Sequence, residues 1–196
     1  MKQIKIGVLG ENPRNDADAF TVLLKKKYNV NITYKTILRN ISGDMLNNPQ
    51  ILYGNLLNEL ENENFDYIIC IRDLDALQSN TDAISKRALW FNNLNNKIDR
   101  KGIFFLAIYE MEALILADID TFNRYYNLNY ELDKEPIEYE KPKEFLKEQS
   151  NYKYKTSHCS KIFEGADFDK IYQNHKGEHS FQAFINRLDD VPSHVN

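Results

Sequence analysis

The chain has 196 residues, 42% hydrophobic and 12% aromatic, which is enough apolar material for a sizeable core and far too much for a disordered segment. Its 29 acidic residues outnumber 25 basic ones for a net charge of -4, which excludes a basic nucleic-acid coat and leaves any anionic partner to be bound locally. Two cysteines outside any C-x-x-C spacing exclude a disulfide framework, and no apolar run reaches the ~20 residues of a membrane span, so the expectation is a cytoplasmic protein with no membrane association.

Ile4 to Leu9 reads as a strand ending at Gly10, and Glu11 to Asp16 supply turn and cap chemistry. Ala17 to Tyr28 then carries helical periodicity through Phe20, Leu23 and Leu24. Val30 to Ile37 alternates as an edge strand does, a polar loop follows through Ser42-Gly43-Asp44, and Ile51 to Glu63 is helical. Phe65 to Ile71 is nearly continuous apolar text, as a strand covered on both faces requires, and it runs into Arg72-Asp73-Leu74-Asp75. A helix from about Asp82 to Ile98 precedes a second buried strand, Gly102 to Ile108, which runs into Tyr109-Glu110-Met111-Glu112. After Asp118 the composition turns to Tyr, Asn, Glu and Lys, with helical patterns returning around Lys143 to Glu148, Phe168 to Tyr172 and Phe181 to Leu188. The pattern predicts an α/β fold with a mostly parallel sheet over residues 1–120 and a helical extension, 121–196, packed on it.

Three strands thus deliver acids at their C-terminal ends, where open α/β sheets form their sites. Asp73 and Asp75 face one side if the strand persists, and could share a hard cation; the same pair can equally open a loop and cap the next turn. Glu110 and Glu112, two apart on a helix, would diverge by about 200°, so they serve different metals or only one is a ligand. Glu11 follows Gly10 in a loop where a carboxylate can hold Mg²⁺ or act on a water. No dinucleotide or P-loop fingerprint is present. Lys155, in the aromatic and basic run Tyr152-Lys153-Tyr154-Lys155, is the candidate cation for a transition-state charge, against the plainer reading of a solvated loop. His158 and Cys159 lack a second pair for zinc, and His175 and His179 read as surface residues.

Gly10-Glu11, Arg72-Asp73-Leu74-Asp75 and Glu110-Met111-Glu112-Ala113-Leu114-Ile115 together resemble the Toprim fold, specifically the bacterial group DUF4276. The similarity continues in Lys141-Pro142-Lys143-Glu144-Phe145-Leu146, Tyr154-Lys155-Thr156 and Ser180-Phe181-Gln182-Ala183-Phe184. The resemblance implies a Toprim/Rossmann-like sheet and a Mg²⁺- or Mn²⁺-dependent nuclease related to the overcoming-lysogenization-defect nucleases. Asp73, Asp75, Glu11, Glu110 and Glu112 would be metal ligands, Glu11 and Lys155 catalytic, and Arg72, Tyr154 and Lys155 contacts to a nucleic-acid substrate. The same association implies antiphage defence beside an ABC-type ATPase partner, with a homo-oligomer left open. The first motif departs from the family's E-G-x-[ST]-[DE], which leaves the role of Asp16 undefined and keeps a non-catalytic Toprim-like interaction subunit as the alternative. On like-charge repulsion alone, Asp75→Asn or Glu11→Gln is expected to leave stability equal or raised.

Overall fold

The computed structural model describes residues 3–190. Four strands, β1 (Ile4–Leu9), β2 (Ile32–Thr36), β3 (Tyr67–Asp73) and β4 (Gly102–Ala107), form one all-parallel sheet in the order β2-β1-β3-β4. The chain leaves β1 toward one edge and returns to β3 on its other side, so the order reverses between these two central strands. That reversal opens a crevice beyond their carboxyl ends, where the connecting segments diverge.

Alternation along the strands divides the core between two layers of helix. Ile6, Val8, Ile69, Ile71, Ile103 and Phe105 face one layer, made by α1 (Asp18–Leu24) and the helices beyond residue 112. Leu9, Ile68 and Cys70 face the other, with Leu52 and Leu56 of α3 (Pro49–Asn62) and Leu94 of α4 (Thr81–Lys97). Asn48 and Asn80 start the latter two helices by accepting hydrogen bonds from first-turn amides, and Pro49 occupies a position where its missing N–H is no loss.

The text beyond residue 120 is helical and shares the first layer's core. α5 (Ala113–Ala117) is buried throughout, and α6 (Ile119–Tyr126), α7 (Pro142–Gln149), α8 (Cys159–Gly165), α9 (Phe168–Asn174) and α10 (Phe181–Asp189) follow. Phe181 and Phe184 of α10 stand 6.3 and 5.2 Å from the Phe105 ring, and Phe20 stacks on Phe105 at 4.9 Å. Removing one such buried ring costs about 3–5 kcal/mol, so the extension is part of the sheet's packing. The remainder of the expected 121–196 segment, 191–196, lies outside the described residues.

Several local expectations change. The Ser42-Gly43-Asp44 loop opens a short helix, α2 (Gly43–Leu46), and α6 and α8 arise in stretches for which no helix is expected above. The first helix starts one residue later than expected, after a π-helical turn at Pro13–Ala17. His175 is buried, not superficial: its Nδ1 accepts the Phe181 amide at 2.9 Å, and burial pulls its pKa down to about 4. Cys159 is likewise buried in α8.

Candidate functional site

The β1–β3 register explains the first feature of the site. Leu9 pairs with Cys70, so the two chains carried two residues further bring Glu11 alongside Arg72, and the same alternation turns both side chains toward the α3/α4 layer. There the Arg72 Nε donates to Glu11 Oε1 at 2.5 Å and its Nη2 donates to Asn47 Oδ1 at 3.0 Å. The guanidinium lies 4.5 Å from the Trp90 ring centroid. Arg72 is fully buried and its Nη1 has no hydrogen-bond partner among the described residues. Burial pulls its pKa below the ordinary value while Glu11 pulls it back up. Arg87 of α4 adds a second cation 3.7 Å from Glu11. Gly43 leaves space at this point, because a Cβ there would stand 3.0 Å from Glu11 Oε2.

One residue along β3, Asp73 points to the opposite face of the sheet, toward the helical layer that begins after β4. A cavity of about 210 Å³ opens beyond the strand ends, walled by Glu11, Asp16, Asp73, Glu110 and Glu112, with Lys143 among its lining residues. Asn12, Gly43 and Thr156 complete it. Asp16 is held by the Asn12 amide, which donates to its Oδ2 at 2.8 Å. Glu110 Oε2 accepts the backbone N–H of Lys143 at 3.3 Å. Glu112, 4% exposed, accepts at Oε1 from the Tyr154 hydroxyl at 3.1 Å, and that hydroxyl also meets Cys159 Sγ at 3.0 Å.

These carboxyl groups bind protons tightly because burial removes water and their neighbours repel a further negative charge. Burial, then Glu112 and Glu11, push Asp16 up to about 7 against the opposing Asn12 amide and Lys143. Burial and Glu112 push Glu110 up to about 7. Asp73 is raised well above the carboxylate range by burial, Asp16, Glu11, Glu112 and Glu110, and Glu112 is raised chiefly by burial. Lys143 responds in kind: burial alone would lower its pKa, yet Glu112, Glu110, Glu144 and Asp16 hold it above its ordinary value.

The structure therefore gathers Glu11, Asp73, Glu110 and Glu112 from the expected ligands and adds Asp16 and Lys143. Glu110 and Glu112 converge because α5 begins only at Ala113, after a turn in which Tyr109 is left-handed (φ 55), so helical divergence does not apply to them. Asp75 is not on the cavity wall. The strand ends at Asp73, Asp75 is left-handed (φ 57), and its carboxylate turns to solvent and pairs with Arg87 at 3.2 Å. Two expected nucleic-acid contacts are corrected: Arg72 and Tyr154 are 0% and 2% exposed and cannot touch a macromolecule. Lys155 is exposed and lines no part of the cavity; the lysine that does is Lys143, brought over by α7. No sequence spacing could have chosen between them, whereas Asp16 lay within the first acidic loop.

All five acids are hard oxygen donors suited to a divalent cation, and their mutual repulsion is what such an ion would neutralise. Among the described residues, no three His, Cys, Asp or Glu side chains are already close enough together to hold one.

Fold and site together define a parallel α/β protein with an acidic crevice at the reversal of strand order. The DUF4276 family, described as a domain of unknown function, matches residues 21–189, and the chain belongs to that family. The match begins after Glu11 and Asp16. No curated protein and no solved structure matches the chain. No helix among the described residues is long and apolar enough to cross a membrane.

Proposed function

We propose that the cavity is a Toprim-like centre for divalent-cation-dependent hydrolysis of nucleic-acid phosphodiester bonds. The observation that carries this reading is the convergence of carboxylates from the ends of β1, β3 and β4 on one cavity whose acids hold their protons to near neutral pH. Asp16, Asp73, Glu110 and Glu112 would hold Mg²⁺ or Mn²⁺, which supplies activation of water and neutralisation of a leaving oxygen. Around it the chain's own groups have separate tasks. The Lys143 amide donates to Glu110 Oε2 and so orients that carboxylate toward the cavity. Lys143 keeps a positive charge at the wall, where a phosphate oxygen is drawn and its developing charge is stabilised. Tyr154 fixes the Glu112 carboxylate, and Arg72 fixes Glu11.

The test is titration with Mn²⁺ in a calorimeter together with cleavage of labelled single strands, duplexes and RNA in Mg²⁺, Mn²⁺ or EDTA. Wild type should take up metal and cut only with it. Asp73→Asn and Glu112→Gln should lose both, while Asp75→Asn, outside the cavity, should retain metal uptake. Unchanged uptake in Asp73→Asn would end the assignment. The competing reading, a non-catalytic subunit of an ATPase-containing complex, draws on the capture of Glu11 by Arg72. Uptake of metal without cleavage of any substrate would favour it.

A further inference from the structure

One aromatic side chain, just past the end of α7 and four residues before the cavity wall at Thr156, stands in water. Tyr152 is 75% exposed, and among the described residues its ring meets no other ring and no cation. Its backbone is left-handed (φ 60), as is that of Asn151 (φ 49), and the Tyr152 amide donates to Lys147 O at 2.6 Å to close the end of α7. Asparagine adopts that conformation readily; a tyrosine does so at a cost, which glycine would avoid. Nothing in the packing of the ring repays that cost, so the aromatic face is explained by what it can meet outside the chain.

The next residues carry two cations. Lys153, Tyr154 and Lys155 are exposed, buried and exposed in turn, the alternation of an extended segment, so both lysines project outward on the side opposite Tyr154. Neither ammonium group has an ion-pair or hydrogen-bond partner among the described residues. Inward, the Tyr154 hydroxyl reaches the Glu112 carboxylate, and one residue beyond Lys155 the chain forms the cavity wall at Thr156. An exposed ring and two exposed lysines thus stand within four residues of one another on the segment that leads to the cavity wall at Thr156.

We infer that Tyr152, Lys153 and Lys155 form a docking platform for single-stranded nucleic acid. One unpaired base stacks on the Tyr152 ring, the flanking phosphates meet the two ammonium groups, and the strand passes over Thr156 to the carboxylates. The inference rests on the reading of the cavity as a phosphodiester-cleaving centre and gives that centre its substrate class. A single strand is required because the π-face of a base is open to a side chain only when the base is out of its duplex stack.

Anisotropy of a labelled oligothymidylate, in EDTA and again in Ca²⁺, tests this with the full chain. Tyr152→Ala should weaken binding about tenfold or more, the scale of one lost base stack, and Tyr152→Trp should restore it. Lys153→Ala and Lys155→Ala should each flatten the dependence of log affinity on log salt by about 0.7, which Tyr152→Ala should leave unchanged. Tyr152→Gly, whose relieved left-handed strain offsets the added chain entropy, should melt close to wild type while binding poorly, separating lost affinity from lost fold. The annealed duplex should bind more weakly and be indifferent to Tyr152. Equal affinity of Tyr152→Ala and wild type, an equal loss on the duplex, or no binding of single strands by wild type would each overturn the platform. Cleavage in Mn²⁺, run in parallel, keeps the two ideas apart: cutting with Tyr152-independent binding sinks the platform alone, and Tyr152-dependent binding without cutting sinks the hydrolytic reading alone.

Discussion

Replacing Glu11 by Gln reverses in sign what clustered negative charge by itself predicts. Glu11 is one acid of the cavity, but it is also the counter-ion of a fully buried arginine at 2.5 Å, whose Nη1 already lacks a partner among the described residues. Removing one member of a buried pair costs about 3–5 kcal/mol because the other charge is stranded. Glu11 retains 21% exposure, which places the loss at the lower end, about 3 kcal/mol. Relief of repulsion on Asp73 and Asp16 returns about 1 kcal/mol. The net loss of about 2 kcal/mol corresponds to a fall in Tm of about 4–8 °C for a chain of this size. Thermal melts in EDTA should therefore rank Glu11→Gln below wild type. Asp73→Asn, which removes charge from the same cavity without orphaning a cation, should rank level or above. A double variant, Glu11→Gln with Arg72→Met, should recover most of the loss. Glu11→Gln melting at or above wild type would refute the role assigned to Arg72.

Other outcomes follow from the same groups. Folded Asp16 and Glu110 hold protons up to about 7 that the unfolded chain releases near 4, so the metal-free protein loses stability as pH rises from about 4 to about 7 and is level above that. His175, pulled down to about 4, works the other way, its contribution being full above about 6.5 and lost as pH falls below it. The two carboxyls outweigh one imidazole, so melting in EDTA should be higher near pH 5.5 than near pH 7.5, and saturating Mn²⁺ should remove the difference; a higher Tm at the upper pH in EDTA would count against the cluster. Tyr154→Phe strips Glu112 of its hydroxyl donor and should lower stability by about 1–2 kcal/mol, read by denaturant melts; it should also weaken Mn²⁺ uptake, and unaltered uptake would show that Tyr154 does not position Glu112.

The sheet was largely legible because burial on two faces leaves a strong mark: Phe65 to Ile71 and Gly102 to Ile108 fell on β3 and β4, and of the acids after them Asp73, Glu110 and Glu112 fell on one cavity while Asp75 did not. What escaped depended on single backbone angles and long-range closure. The left-handed turns at Asp75 and Tyr109 send one carboxylate outward and draw two glutamates together; aspartate is only tolerant of such a turn and tyrosine does not announce one. Arg72 reads as a surface cation until the β1–β3 register supplies Glu11 and the helix layer supplies Trp90. Lys143 and Lys155 are equivalent as text; only the docking of α7 against the β4 loop distinguishes them.

The helix α10 contributes nothing to the wall of the acidic cavity, yet its Phe181 and Phe184 rings are wedged against Phe20 and Phe105 behind it. Immediately before it, Lys176, Gly177 and Glu178 form an exposed turn. A protease that nicks this turn would leave all the acidic side chains of the cavity in one uninterrupted fragment while loosening the aromatic plug that backs the sheet. Such a cut would act by slackening of the scaffold, and the released face would be a greasy, aggregation-prone surface.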